Sequence, residues 1–146
     1  MSSEATVMSL LSIRKTSGST VLLEYQSRPG QFQADVNGTM GPVPGALLAR
    51  TTGTVVDFGQ LTIPGLCRIM NLGATYYFEY GIYDPQTDVF YPLGECMPGE
   101  SYIIRLSRNL LEEYTGTGTG TTAATNQFML KAFGGNTNAL VEAFEK

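Results

Sequence analysis

Apolar and polar side chains alternate with a period of two in several short stretches of this chain. In Phe32-Gln33-Ala34-Asp35-Val36 the apolar residues fall on one side and the polar ones on the other. In Ser101-Tyr102-Ile103-Ile104-Arg105-Leu106-Ser107, Tyr102, Ile104 and Leu106 oppose Ser101, Arg105 and Ser107. Val21, Leu23 and Tyr25 form a third, weaker row. Successive side chains of a strand point to opposite faces, so alternation of this kind predicts half-buried antiparallel strands.

Other stretches are apolar on both sides. Between Tyr76 and Tyr83, one side carries Tyr76, Phe78, Tyr80 and Ile82, and the other Tyr77, Glu79, Gly81 and Tyr83. Phe128, Leu130 and Ala132 oppose Gln127, Met129, Lys131 and Phe133; Ala139, Val141 and Ala143 oppose Leu140, Glu142 and Phe144. The 17 Gly and 7 Pro divide the chain into pieces of strand length. Together these patterns predict an all-β fold, an antiparallel β-sandwich in one domain spanning 1–146. Asp84-Pro85-Gln86-Thr87 reads as a hairpin turn and Pro98-Gly99 as the centre of a type II turn. Gly134-Gly135-Asn136 reads as the closure of a final hairpin.

Four regions do not fit strands cleanly. Glu4 to Lys15 carries both helical and strand spacings, and residues 1–19 are expected to form an N-terminal arm or strand. Asn109 to Tyr114 has the length of one helical turn, and Gly41-Pro42-Val43-Pro44-Gly45 reads as a stiff, partly polyproline-like loop. Residues 115–126 contain the run Thr115-Gly116-Thr117-Gly118-Thr119-Gly120-Thr121-Thr122, which has no side chain able to anchor a core and reads as a long flexible loop.

Composition narrows the chemistry. The chain has 146 residues, 42% apolar, enough for a core without staples. Thirteen carboxylates face nine scattered Lys and Arg, which argues against nucleic acid as a partner. No histidine is present, so the commonest general acid-base and metal ligand is missing. Cys67 and Cys96 lack a second pair to complete a zinc set; two buried thiols or a disulfide across neighbouring strands remain open. No apolar stretch approaches the roughly 20 residues of a membrane span, and Met1-Ser2-Ser3-Glu4 does not resemble a signal peptide. The expectation is therefore synthesis and assembly in a cytoplasm, without membrane contact.

Candidate catalytic groups are weak. The Gly/Thr run lacks the Lys and following helix of a phosphate loop. Asp84 and Asp88 flank a turn, where Asp usually bonds its own backbone, and supply two of the six to eight oxygens that calcium requires. Glu112 and Glu113 are adjacent in sequence without any sign of a cleft. Lys15, Lys131 and Lys146 sit in no catalytic spacing, and Arg68 beside Cys67 would point to the opposite face of a strand. No catalytic, cofactor-binding or metal-ligating residue is assigned, and the chain is read as a non-enzyme.

The informative surplus is apolar. One sandwich core needs one buried face per sheet, so a second apolar face must be covered by a loop, an arm or another subunit. Tyr77, Tyr83, Phe133, Leu140 and Phe144 are the interface candidates on that ground. An alternative use is a glycan- or ligand-binding platform built from Tyr76, Tyr77, Tyr80 and Tyr83.

From about Leu61 onward the chain resembles small structural proteins of tailed-phage particles. The likeness lies in the order of Gly65-Leu66-Cys67-Arg68-Ile69-Met70-Asn71-Leu72-Gly73, the aromatic strand ending Tyr80-Gly81, and Phe90-Tyr91-Pro92-Leu93-Gly94-Glu95. It continues through Pro98-Gly99-Glu100 and Leu130-Lys131-Ala132, with Phe32-Gln33-Ala34-Asp35 as a weaker match upstream. The resemblance implies a jelly-roll-like sandwich that serves the virion as a capsid-decorating, adaptor or tail-associated subunit. Its partners would be further copies of itself and other virion proteins. No functional residue carries over, because such proteins act through surfaces.

Overall fold

The computed structural model describes residues 5–34, 36, 41–110, 113–114 and 124–146. These residues form strands and turns without a helix. The chain divides into two compact units, Met1–Val36 and Asn37–Lys146. Of the flexible loop expected at 115–126, residues 115–123 lie outside the described residues, and Ala124–Thr125 form a short strand.

The first unit is a long β-hairpin in two stages. β1 (Ala5–Ser9) pairs with β4 (Gly30–Ala34), and β2 (Ser12–Ser17) pairs with β3 (Thr20–Gln26), both antiparallel. Glu4 to Lys15, ambiguous by spacing, is thus strand from Ala5 onward, interrupted at Leu10 and Leu11. That interruption is bridged by the Ser27 amide donating to the Leu11 carbonyl and the Leu11 amide donating to Ser27 Oγ, both at 2.8 Å. Gly18, at φ 58°, lies in the turn between β2 and β3.

The second unit is a sandwich of two four-stranded antiparallel sheets. β5 (Val43–Ala49), β7 (Pro64–Asn71), β10 (Ser101–Arg105) and β14 (Thr137–Glu145) form one, in the order β10-β7-β14-β5. The other contains β6 (Thr54–Val55), β8 (Tyr77–Asp84), β9 (Val89–Cys96) and β13 (Gln127–Phe133), in the order β6-β13-β8-β9. A further two-residue ladder joins β11 (Glu113–Tyr114) to β12 (Ala124–Thr125), so Asn109 to Tyr114 ends in a strand rather than a helical turn.

The two sheets meet through the rows that alternation selects. Cys67 and Ile69 of β7 and Ala139, Val141 and Ala143 of β14 face Phe78 of β8 and Phe128, Leu130 and Ala132 of β13, and all are buried. Removing such side chains from water contributes roughly 1.5–3 kcal/mol for each large one. Alanines on β14 and β13 let the larger Phe78 and Phe128 fill the gap between the sheets at native density.

Several turns follow their local chemistry. Pro98 and Gly99 form the centre of a type II turn: Gly99 has φ 81°, and the Glu100 amide donates to the Met97 carbonyl at 3.0 Å. Asp84 caps its own turn, accepting from the Gln86 amide and the Thr87 hydroxyl, each at 2.9 Å.

Three expectations are corrected. Gly134-Gly135-Asn136 does not close a hairpin, because β13 and β14 belong to opposite sheets and the segment turns the chain from one to the other. The stiff loop at 41–45 gives way to β5 at Val43; Pro44 is accommodated because β5 is an edge strand. Val21 does not share a face with Leu23 and Tyr25. A register shift places Thr16 opposite Val21 and Lys15 opposite Leu23, and adjacent residues point opposite ways.

Candidate interaction surfaces

The five interface candidates lie on two separate faces of the sandwich. Tyr77, Tyr83 and Phe133 sit on the outer side of the β6-β13-β8-β9 sheet, opposite the buried Phe78 and Phe128. Tyr77 and Phe133 are direct cross-strand partners and stack with centroids 5.3 Å apart and planes 11° from parallel. Each ring thereby covers much of the other, and Lys131 places its Nζ 6.0 Å from the Phe133 centroid. Tyr83 stands further along the strand and donates its hydroxyl to Asp88 at 2.7 Å. That bond holds the phenol proton and pushes the Tyr83 pKa up. Met129, on the same outer side, is buried beneath the turn that contains Gly53.

Leu140 and Phe144 belong to the outer side of the other sheet. There Leu140 lies between Met70 and Ala46, and Glu142 lies between Arg68 and Pro44. Arg68 and Glu142 form an ion pair at 2.8 Å, too exposed to be worth more than roughly 0.2–1 kcal/mol. Ile103 is opposite Arg68 on the edge strand β10 and is half exposed. Leu48, Leu72 and Phe144 are exposed as well. This face is a pattern of mainly aliphatic side chains around the Arg68–Glu142 ion pair.

The four tyrosines proposed as a stacking platform do not share a surface. Tyr80 faces inward, its ring 6.4 Å from that of Phe128 and lying over Gly94. Tyr76 lies against Gly134 and Gly135. Tyr77 and Tyr83 point to the opposite side from Tyr80 by strand alternation.

The hairpin unit is the most exposed part. Nine large apolar residues, Met8, Leu10, Leu11, Ile13, Val21, Leu22, Leu23, Tyr25 and Phe32, are between 39% and 69% exposed, while only Ala34 is buried among the unit's described residues. Register shows how they are arranged. Ile13 opposes Tyr25 and Lys15 opposes Leu23 on one face, while Ser12, Gln26, Arg14 and Glu24 share the other. In the β1–β4 ladder Val7 opposes Phe32 on one face, and Thr6 opposes Gln33 on the other. Met8 stands on the face of Thr6 and Gln33, and Val21 on that of Arg14 and Glu24, so exposed apolar side chains occur on both faces of each stage.

Sequence reasoning passed over Asn71. It is fully buried at the end of β7, and its side chain makes four hydrogen bonds. Nδ2 donates to the carbonyls of Tyr76 at 2.9 Å and Cys96 at 3.0 Å. Oδ1 accepts from the Gly73 amide at 2.9 Å and the Thr137 hydroxyl at 3.1 Å. Its backbone adds bonds to the 97–100 turn. The only sequence signal is a polar residue where the apolar run Leu66 to Leu72 should continue inward.

Several carboxylates are engaged in local hydrogen bonds. Asp84 and Asp88 hold the β8–β9 turn through the bonds described above. Glu100 accepts from the Met97 amide and the Tyr102 hydroxyl, which holds its carboxyl below the usual range and pushes Tyr102 up to about 12. An open depression beside β6, lined by Val55, Phe58, Leu61 and Gln127, is largely apolar, and its one carboxylate, Asp57, accepts from the Gly59 amide.

Cys67 and Cys96 are free and buried. Burial, aided by Glu142, pushes the Cys67 thiol up to about 12; burial also raises Cys96, whose Sγ donates to the Glu100 carbonyl at 3.2 Å. A disulfide reagent added to native protein at pH 8 should therefore label neither thiol until the chain unfolds. Because both folded pKa values exceed the unfolded value near 9, the thiols favour the folded state fully below that pH. That contribution is lost as pH rises from about 9 towards 12. Rapid stoichiometric labelling of folded protein would contradict this account.

Comparison of the chain with protein-family models, curated proteins and solved structures finds no match.

Proposed function

We propose that the chain is a structural subunit of a virus particle, a capsid-decorating or other particle-associated protein that acts through protein–protein contacts. The observation that carries this reading is the amount of apolar surface left on thin or flat β-structure, above all on the hairpin Ala5–Ala34. Exposed apolar patches beyond a few hundred Å² mark association surfaces on soluble proteins. The particle itself enters through the resemblance from Leu61 onward, which is a likeness of turn order and not of functional residues.

Strand order supports the same reading. Counting the eight strands β5, β6, β7, β8, β9, β10, β13 and β14 as 1 to 8, the sheets run 6-3-8-1 and 2-7-4-5. This order supports a jelly-roll-like reading, an architecture used by capsid domains and by lectins alike. Fold alone does not choose between them. Tyr76, Tyr77, Tyr80 and Tyr83 do not share one face, which favours the capsid reading over a glycan-binding module built on those four. Weak contacts suffice on a lattice, where repetition multiplies them.

The test is localisation. Gold-labelled antibody against the chain should decorate particles purified from the infected host's lysate in electron micrographs. Particles that carry no chain, by micrograph and by mass spectrometry of the purified fraction, would overturn the reading.

A further inference from the structure

We infer that the outer edge of β10 binds an extended, acidic segment of another protein as an added antiparallel strand. The acidic, N-terminal end of that segment lies against Arg105, Arg108 and Lys146. This edge belongs to the sandwich itself, so its role does not depend on the particle reading.

Backbone geometry selects the occupant. β10 stands at the end of its sheet and pairs with β7 alone. The Leu106 amide donates to the Gly65 carbonyl at 2.9 Å, and the Asn71 amide to the Glu100 carbonyl at 3.0 Å. These bonds join directly opposed residues, so Tyr102 and Ile104 also turn their backbone groups toward β7. The N–H and C=O groups of Ser101, Ile103 and Arg105 therefore point away from the sheet, and all three residues are exposed. Such a row of donors and acceptors is complementary to another strand. The other three edges of the two sheets are blunted. β6 is two residues long, β5 carries Pro44, and β9 carries Pro92 and a register shift. β10 has neither proline nor bulge.

Charge at one end sets the chemistry of the added strand. The Lys146 amide donates to the Ile63 carbonyl at 2.9 Å, and a Cβ on Gly65 would lie 3.2 Å from Lys146 Cα. Lys146 is thereby held beside the end of β10 that carries Arg105 and Arg108. Partial loss of solvent, then the Arg108 and Arg105 charges, lower its pKa. Three of the chain's nine Lys and Arg thus meet at one corner of a chain with net charge −4. Among the described residues none of the three is ion-paired with a carboxylate. Glu145, beside Lys146 in sequence, has its two oxygens on the amides of Thr62 and Ile63. In an antiparallel addition an acidic residue stands opposite Arg105, and two positions further on an apolar one meets the half-exposed Ile103.

Fluorescence anisotropy and amide exchange on the full chain test the inference. The probe is a labelled peptide of alternating threonine and valine that begins with two glutamates; its control begins with two lysines. The glutamate peptide should bind at least ~10-fold more tightly than the control. It should also protect the amides of Ser101, Ile103 and Arg105 and leave those of β5 and β9 unchanged. Ile103→Pro removes an outward donor where an edge strand tolerates proline, and should weaken binding at least ~10-fold. The double variant Arg105→Glu, Arg108→Glu should reverse the preference in favour of the lysine peptide. Arg14→Glu, on the hairpin, should keep the wild-type preference. The reversal decides the matter even where Ile103→Pro lowers stability. Absence of binding at roughly millimolar peptide, equal affinity for both peptides, or protection confined to another edge would each overturn the inference. So would a charge-reversed variant that keeps the wild-type preference. A single-stranded oligonucleotide that displaces the glutamate peptide at lower concentration would overturn it too, by assigning the three cations to phosphate.

Discussion

Replacing Asn71 with Leu should destabilise the sandwich by about 4 kcal/mol, although the new side chain has the same branched skeleton and more apolar surface. The cost comes from what Asn71 leaves behind. Its four hydrogen bonds use every donor and acceptor position an amide side chain has, and their partners lie around the same buried node. Leucine would strand the Tyr76 and Cys96 carbonyls, the Gly73 amide and the Thr137 hydroxyl. Each buried polar group left without a partner costs roughly 1–3 kcal/mol, moderated where a neighbour can shift or water can enter. For a unit of this size, a loss of that order lowers the melting temperature by about 15 °C.

A companion variant apportions the effect. Thr137→Val removes one of the four bonds and should cost about 1 kcal/mol. The two substitutions together should cost less than their sum, because the second no longer strands a partner of the first. Chemical denaturation of the three variants measures this directly. A melting temperature for Asn71→Leu within a few degrees of wild type would show that the node contributes little.

How far the sequence reveals this architecture depends on how local each determinant is. The β10 row of Tyr102, Ile104 and Leu106 could be read directly, because a period of two needs no information beyond the strand: Leu106 is buried and Ile104 packs on the core. The Met97–Glu100 and Asp84–Thr87 turns could be read for the same reason, since Pro, Gly and Asp act on their own backbone. Features set by pairing could not. Val21 leaves the row of Leu23 and Tyr25 because of a bulge that depends on how β3 meets β2. Gly134-Gly135-Asn136 encodes a reversal of direction, but nothing in it says that the next strand joins the other sheet.

The interface candidates show the same limit. The sequence presents Tyr77, Tyr83, Phe133, Leu140 and Phe144 as one surplus, and the sandwich distributes them over two opposite faces. Tyr77 and Phe133 partly satisfy each other by stacking, which only a cross-strand register can reveal. The hairpin Ala5–Ala34 leaves nine further large apolar side chains exposed, although the alternation of Val21, Leu23 and Tyr25 suggests a half-buried strand. Periodicity identifies a face that is suited to burial. It carries no information about whether the same chain provides the cover.

The second large effect is expected at Gly81, where β8 and β9 shift register between Tyr80 and Gly81. The shift leaves Leu93 as the extra residue and brings the β9 backbone over Gly81. A Cβ at Gly81 would fall on the Tyr91 carbonyl oxygen and 2.9 Å from Pro92 Cα. Both are backbone atoms, so no side-chain rotation relieves the clash, and Gly81→Ala should cost about 3 kcal/mol. The place where the strain is released is also predictable. β9 is an edge strand, held on one side only by β8, whereas β8 is clamped between β9 and β13. The chain should therefore yield by loosening β9, and amide exchange should accelerate across Val89–Cys96 before it does in β7 or β14. Wild-type exchange in β9 together with wild-type stability would mean that the close approach at the bulge is not a constraint on this fold.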